Sequence, residues 1–308
     1  MTRVSQITTD VARAATLLKN GAIVAIPTET VYGLAALVHQ EAAVMRIYSV
    51  KGRPTHHPLI VHVAKDFDLD KWGIFSSTAR LLASEFWPGP LTLLVKRTAH
   101  VPDWVTGGRD TVAVRVPQHP MCQELLGLIP DALVAPSANR FGRVSPTTAQ
   151  HVLSDLGSDV DLILDGGPCD IGVESTIVDC TQDLLQILRP GAITAMDIFT
   201  LTGRTLSDAV GESRAPGMML SHYAPTAKVE LYESQDEAAI RSSQLNEMGT
   251  SYQHLYFEDV NEYALRLYDE LRMADINGVK IVLAVLPEPT RIGIALRDRL
   301  KKASHRQA

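Results

Sequence analysis

The sequence predicts an α/β fold in two unequal domains, and three observations support that reading. Short β-branched runs alternate with segments whose apolar residues recur every three or four positions. The alternation breaks near residues 205–226, where a polar, Gly- and Pro-containing stretch cannot bury much surface. Beyond it a second, shorter strand and helix alternation begins. A length of 308 residues agrees with this division, because single hydrophobic cores stop growing at roughly 250 to 300 residues.

In the first part, residues 23–26, 59–63, 91–95, 111–116, 132–135, 162–164 and 175–178 read as strands. Residues 11–18, 42–48, 78–86 and 149–156 each carry one apolar helical face. The expectation is a sizeable mixed sheet over residues 1–205, then a linker over 206–226. In residues 227–308, strands at 228–232, 252–257 and 280–286 alternate with helices at 235–248, 261–273 and 291–302. Units of that length imply parallel pairing with right-handed crossovers, a small Rossmann-like domain. No Gly-x-Gly-x-x-Gly turn follows any of its strands, so a dinucleotide site there has little support.

Composition narrows the function. The hydrophobic fraction of 45% and charged fraction of 21% are those of a soluble globular protein, and no run approaches the roughly 18 to 20 apolar residues of a membrane span. The amino terminus lacks the apolar core of a secretory signal, which predicts a cytoplasmic location. Cys122, Cys169 and Cys180 are far apart and odd in number, and read as reduced and structural. A net charge of −6 argues against a protein that lives on a nucleic-acid backbone. Lys51, Arg53, Arg115, Arg140, Arg143 and Arg189 nevertheless gather near the polar motifs, where small phosphates are the fitting partners.

Three stretches carry the chemistry. Lys51-Gly52-Arg53-Pro54 closes a helix; its cations either complement the helix dipole or bind phosphate beside the strand that His62 ends. Ser137-Ala138-Asn139 follows an apolar strand and is either a strand-ending turn or a hydroxyl and amide offered to a ligand. Thr28, Thr30 and Tyr32 in Pro27-Thr28-Glu29-Thr30-Val31-Tyr32-Gly33 leave the same choice open. Arg115 alternates with valines on a strand and needs a polar outlet. With no Gly-x-x-x-x-Gly-Lys-Ser/Thr loop, motif logic alone reaches a phosphate or nucleotide site.

Joined in order, these stretches with Trp87 to Thr92, Val112 to Pro117, Glu174 to Asp179 and Leu188 to Gly191 resemble the YrdC-like threonylcarbamoyl-AMP synthases. Ser221-His222-Tyr223-Ala224-Pro225 resembles the linker motif of the long, two-domain branch. The resemblance implies a nucleotidyltransferase that makes threonylcarbamoyl-AMP and pyrophosphate from L-threonine, bicarbonate or CO2, and ATP. A downstream tRNA threonylcarbamoyl transferase complex would use the product, with tRNA met only indirectly.

By resemblance Thr30, His62, Arg115, Ser137 and Ser175 hold threonine, while Lys51, Arg53, His57, Thr111, Asn139, Thr147, Arg189 and Tyr223 hold ATP. Lys51, Arg53, Ser137 and Asn139 are the residues implied in catalysis. His57 stands where many relatives have Asn. Mg²⁺ is expected on the ATP phosphates, held mainly by nucleotide oxygens and water, and no protein ligand for it is named; Glu29 is the nearest acid. The second domain is expected to cover the cleft through the linker around Tyr223. Competing readings are a non-catalytic RNA-binding protein and a carbamoyltransferase with a similar domain.

Overall fold

A twelve-stranded mixed sheet fills the first part of the chain in the computed structural model, which describes residues 6–208, 214, 216 and 223–305. Its elements are β1 (Gln6–Thr8), α1 (Val11–Lys19), β2 (Val24–Ile26), β3 (Gly33–Leu37), α2 (Glu41–Lys51), β4 (Ile60–His62), β5 (Gly73–Ile74), α3 (Ser77–Phe86) and β6 (Leu91–Arg97). They continue with α4 (Asp103–Thr106), β7 (Thr111–Arg115), α5 (Pro120–Gly127), β8 (Leu133–Val134), α6 (Ala149–Leu156), β9 (Leu162–Leu164), β10 (Thr176–Asp179), β11 (Gln186–Arg189), α7 (Ala195–Thr202) and β12 (Ser207–Asp208). The order is β1-β9-β2-β3-β8-β4-β7-β6-β10-β11-β12, with β5 on β6.

Alternation sets the two faces of the central strands. Val61, Val112 and Val114 face a large core with Val44, Ile47 and Tyr48 of α2 and Leu82 of α3. Ile60, Leu94, Ala113, Ile177 and Leu188 form a small cluster on the other side. That second face is where the site lies. Helix α2 ends as Lys51-Gly52-Arg53-Pro54 suggested, with Gly52 in the left-handed conformation at φ 64.

The second domain consists of β13 (Lys228–Tyr232), α8 (Gln235–Glu247), β14 (Tyr252–Leu255), α9 (Val260–Ile276), β15 (Ile281–Val285) and α10 (Gly293–Ser304). Its strands pair in parallel in the order β13-β15-β14, the Rossmann-like arrangement expected. No helix among the described residues is long and apolar enough to cross a membrane.

The domains meet through shared core. Val31, Val144 and Val173 belong to one buried cluster with Tyr223, Leu267 and Tyr268. Gly172, at φ +83, lies so close to α9 that an added Cβ would come 2.3 Å from the Ala264 carbonyl oxygen. Arg272 pairs with Asp155 at 2.7 Å across the same boundary. Of the expected linker, Ser207–Asp208 adds a strand beside β11. Residues 209–213, 215 and 217–222, including Ser221 and His222 of the linker motif, lie outside the described residues.

Candidate active site

One cavity opens over the small cluster, where β3 begins, β8 has just ended and β7 delivers its last residue. Thr30, Arg53, His62, Arg115, Ser137, Ser175, Arg189 and Tyr223, separated in sequence by up to 193 positions, all line it. The polar turn between β2 and β3 is held by Thr28, whose hydroxyl donates to the Val31 carbonyl at 2.6 Å and accepts from the Thr30 and Val31 amides. That turn points Thr30 at the guanidinium of Arg115, which donates to its hydroxyl at 2.9 Å. Arg115 also pairs with buried Glu29 at 2.7 Å and donates to the Gly89 carbonyl. The polar outlet that Arg115 required is therefore an ion pair at the cavity wall.

His62, at the end of β4, is buried beside Arg115. Burial, reinforced by the Arg115 charge, pulls its pKa down to about 3, so the ring is neutral at physiological pH. Its Nδ1 lies 3.2 Å from the Ile60 carbonyl, which assigns the proton to Nδ1 and leaves Nε2 as an acceptor. Ser175 closes the opposite side. Its hydroxyl lies 2.7 Å from that of Thr92 and accepts from Arg189 at 3.0 Å.

The electrostatics are one-sided. Arg53 donates to the Pro58 carbonyl, Arg189 to the Ser175 carbonyl and hydroxyl and to the Pro216 carbonyl, and Lys51 to the carbonyls of Ser137 and Asn139. Among the described residues none of these three buried cations makes an ion pair with a carboxylate. Burial lowers the pKa of Lys51 well below its usual value and that of Arg53 to about 10. Buried charge is costly without a counter-charge, and two of these cations, Arg53 and Arg189, line a cavity that an anion can enter; the nearest carboxylate to Arg189 is Glu174, with which it makes no direct pair. The Arg53 Nε and Asn139 Oδ1 are buried with no hydrogen-bond partner among the described residues.

Five of the sequence-chosen residues are not on the lining. Lys51 and Asn139 sit behind it: Lys51 fastens the carbonyls of the Ser137–Asn139 loop, and the Asn139 amide donates to the Arg140 and Arg143 carbonyls. His57 packs edge-on against Phe141, over which Arg53 also lies. Thr147 hydrogen-bonds with His151 away from the lining. Thr111 shares a face with Arg115 but opens β7 while Arg115 closes it, about 13 Å apart at some 3.3 Å per residue. The structure therefore does not bring Thr111 to the cavity.

Sequence reasoning gave no role to the group that closes the cavity's rear. Glu174, buried on the lining, accepts from the Ser145 hydroxyl at 2.6 Å, from the Tyr268 hydroxyl at 2.8 Å and from Arg299 Nε at 2.8 Å. Burial would raise its pKa, but Arg299 and Arg189 outweigh it and hold the carboxyl at about 2. Tyr223 stacks on Tyr268 at 5.7 Å and lies under the Arg299 guanidinium. A signal existed: in α10 Arg299 falls on the stripe of Ala295, Leu296, Leu300 and Ala303, the face that goes to the core.

Glu174 is the one acid on the cavity lining among the described residues, and both its oxygens are engaged. The residues present therefore do not build a protein metal site there. His39, His100 and Asp131 are close enough together to share an ion. They sit beyond the far ends of β3 and β8 from the cavity, and both His39 nitrogens already contact Asp131 and the His100 carbonyl.

Fold and cavity together define an α/β protein that gathers buried cations and hydroxyls around one cavity, with a Rossmann-like domain at its rear. Comparison with known proteins places this class. Residues 16–191 match the Sua5, YciO and YrdC family model, described as "Telomere recombination", and residues 186–305 match "Threonylcarbamoyl-AMP synthase, C-terminal domain". The chain belongs to the Sua5, YciO and YrdC family, in its two-domain form.

Among its relatives, the threonylcarbamoyl-AMP synthase of Pyrococcus abyssi is 39% identical over 94% of this chain and 93% of its own length. That of Bacillus subtilis is 39% identical over 96% and 92%. The crystal structure of P. abyssi Sua5 complexed with L-threonine superposes with a TM-score of 0.91, at 36% identity, covering 98% of this chain and 97% of that one.

Proposed function

We infer that this protein is a threonylcarbamoyl-AMP synthase, joining L-threonine, bicarbonate or CO2, and ATP, with release of pyrophosphate. The observation that carries the reading is the pair of buried arginines on the cavity lining, Arg53 and Arg189, which make no direct ion pair with a carboxylate among the described residues, next to an Arg115, Thr30 and Ser175 group suited to an amino acid. The likeness to full-length relatives of that name supports it.

On this reading the threonine carboxylate meets Arg115 and Ser175, and its hydroxyl and amine meet Thr30, Ser137 and the His62 acceptor. Arg53 and Arg189 meet the ATP phosphates, Lys51 and Asn139 hold the Ser137 loop in place, and Tyr223 covers the nucleotide side. The threonine ammonium gives up one proton, its nitrogen adds to the carbon of CO2, and a second proton leaves as the carbamate forms, bicarbonate or water taking both. One oxygen of the resulting carbamate then forms a bond to the α-phosphorus, while the bond from that phosphorus to the bridging oxygen breaks and pyrophosphate leaves. Positioning and charge stabilisation by the arginines do most of the work. Mg²⁺ arriving with ATP would offset phosphate charge, and no residue of the lining is assigned to hold it, because Glu174 is already engaged.

Residues 1–205 would form the catalytic unit and 227–308 the second domain, joined by 206–226. The product would pass to a threonylcarbamoyl transferase acting on tRNA in the cytoplasm.

The test is pyrophosphate release from ATP, Mg²⁺ and bicarbonate with and without L-threonine, the adenylate being identified by mass. Threonine-dependent release with a threonylcarbamoyl-AMP mass is expected. Threonine-independent turnover of carbamoyl phosphate, or RNA binding without turnover, would replace this reading.

A further inference from the structure

We propose that Arg299 is a positioning residue for the active site, by which the second domain completes a wall of the cavity rather than only covering its mouth. The proposal rests on the functional reading above. The wall concerned is the junction where β10 starts and β11 ends. Arg189, on β11, reaches across to the Ser175 carbonyl and hydroxyl. Gly191 packs backbone against backbone there, since an added Cβ would lie 2.4 Å from the Thr176 nitrogen and 2.8 Å from the Glu174 carbonyl oxygen.

Arg299 approaches the same junction from the other side. Its Nε donates to the Glu174 carboxylate at 2.8 Å and its Nη2 to the Pro190 carbonyl at 2.9 Å, so one planar fork ties the residue before Ser175 to the residue after Arg189. The guanidinium is fully buried, and Asp298 pairs with its remaining nitrogen. Tyr268 of the same domain adds a bond to the same carboxylate. Removing this fork frees both strand ends that present Ser175 and Arg189, while neither Arg299 nor Tyr268 lines the cavity.

Docking of the domains alone does not require this arrangement, because Arg272 pairs with Asp155 and donates to the Val144 carbonyl at a separate point of the boundary. That pair supplies the control. In full-length protein, Arg299→Lys keeps a charge beside Glu174 but cannot span to Pro190. It is expected to raise KM for L-threonine and for ATP about tenfold, the order of one lost charge-assisted contact, and to speed amide hydrogen exchange at Ser175 and Thr176.

Arg272→Lys is expected to loosen docking while keeping both KM values within about twofold and leaving exchange at residues 175 and 176 unchanged. Equal KM changes in the two variants, or wild-type kinetics in Arg299→Lys, would overturn the proposal. Should Arg299→Lys not fold, Tyr268→Phe decides by the same comparison, with a smaller rise of about threefold expected and no rise overturning it. If wild-type protein releases no pyrophosphate, the functional reading fails by itself. The exchange comparison then decides on Arg299 alone.

Discussion

Replacing Arg53 by methionine should weaken ATP binding severely and yet leave the stability of the ligand-free protein nearly unchanged. Burial has drawn the guanidinium from 12.5 down to about 10, which means that holding it charged in the folded protein costs roughly 3 kcal/mol. Methionine removes that cost and fills much of the space of the aliphatic stem. Against this stand the bond to the Pro58 carbonyl, worth about 1.5 to 3 kcal/mol for a charged donor, and the contact over Phe141, worth about 0.5 to 1 kcal/mol.

The two sides nearly cancel, so the melting temperature should stay within about 3 °C of wild type. A charge-assisted contact to phosphate is worth about 1.5 to 3 kcal/mol, so KM for ATP should rise about tenfold to a hundredfold. Thermal melting with and without ATP, alongside pyrophosphate-release kinetics, measures both. Loss of more than about 4 kcal/mol of stability with unchanged ATP affinity would make Arg53 a structural residue and refute the argument from uncompensated charge.

Acid should release the rear of the cavity. Glu174 titrates at about 2 in the folded protein against an ordinary 4.5, so its contribution, roughly 3 kcal/mol, is complete above pH 4.5 and is lost as pH falls toward 2. Urea unfolding across that window should fall more steeply for wild type than for Glu174→Gln, and parallel curves would show that the carboxylate is not the titrating group. Gly191→Ala should lower stability by about 1 to 3 kcal/mol and raise KM for threonine, because its new methyl must displace the Ser175 backbone. Lys51→Met should strip the charged donor from the Ser137 and Asn139 carbonyls, leaving Ser137 with the Asn139 amide, and cut kcat/KM about tenfold in the release assay. An unaltered value would remove Lys51 from the site.

The strands legible in the sequence were those with β-branched runs, and the second domain's parallel order followed from its alternation. Strand β3 carries no such run: Gly33-Leu34-Ala35-Ala36-Leu37 is buried throughout and has no alternation to read. Helix α7 has a capping box in Thr194 and Asp197 but no readable apolar face, because exposed Met196 and Phe199 blur it. The site was readable where residues sit in local motifs. What sequence could not convey is reach: Lys51 ends at the loop carbonyls behind the lining, Thr111 opens β7 at the end away from Arg115, and Arg299 comes from a region with no polar motif.

The separation between Glu174 and Arg299 is 125 residues. During synthesis the first sheet therefore emerges with a carboxylate destined for burial whose permanent cation has not yet been made. Until α10 arrives that carboxylate is better left in water, and the strand ends that carry Ser175 and Arg189 have reason to stay open. Maturation of the catalytic wall thus waits for the last helix of the second domain, so a chain interrupted between the two domains would carry every residue of the pocket's motifs up to Arg189 without the means to hold them in place.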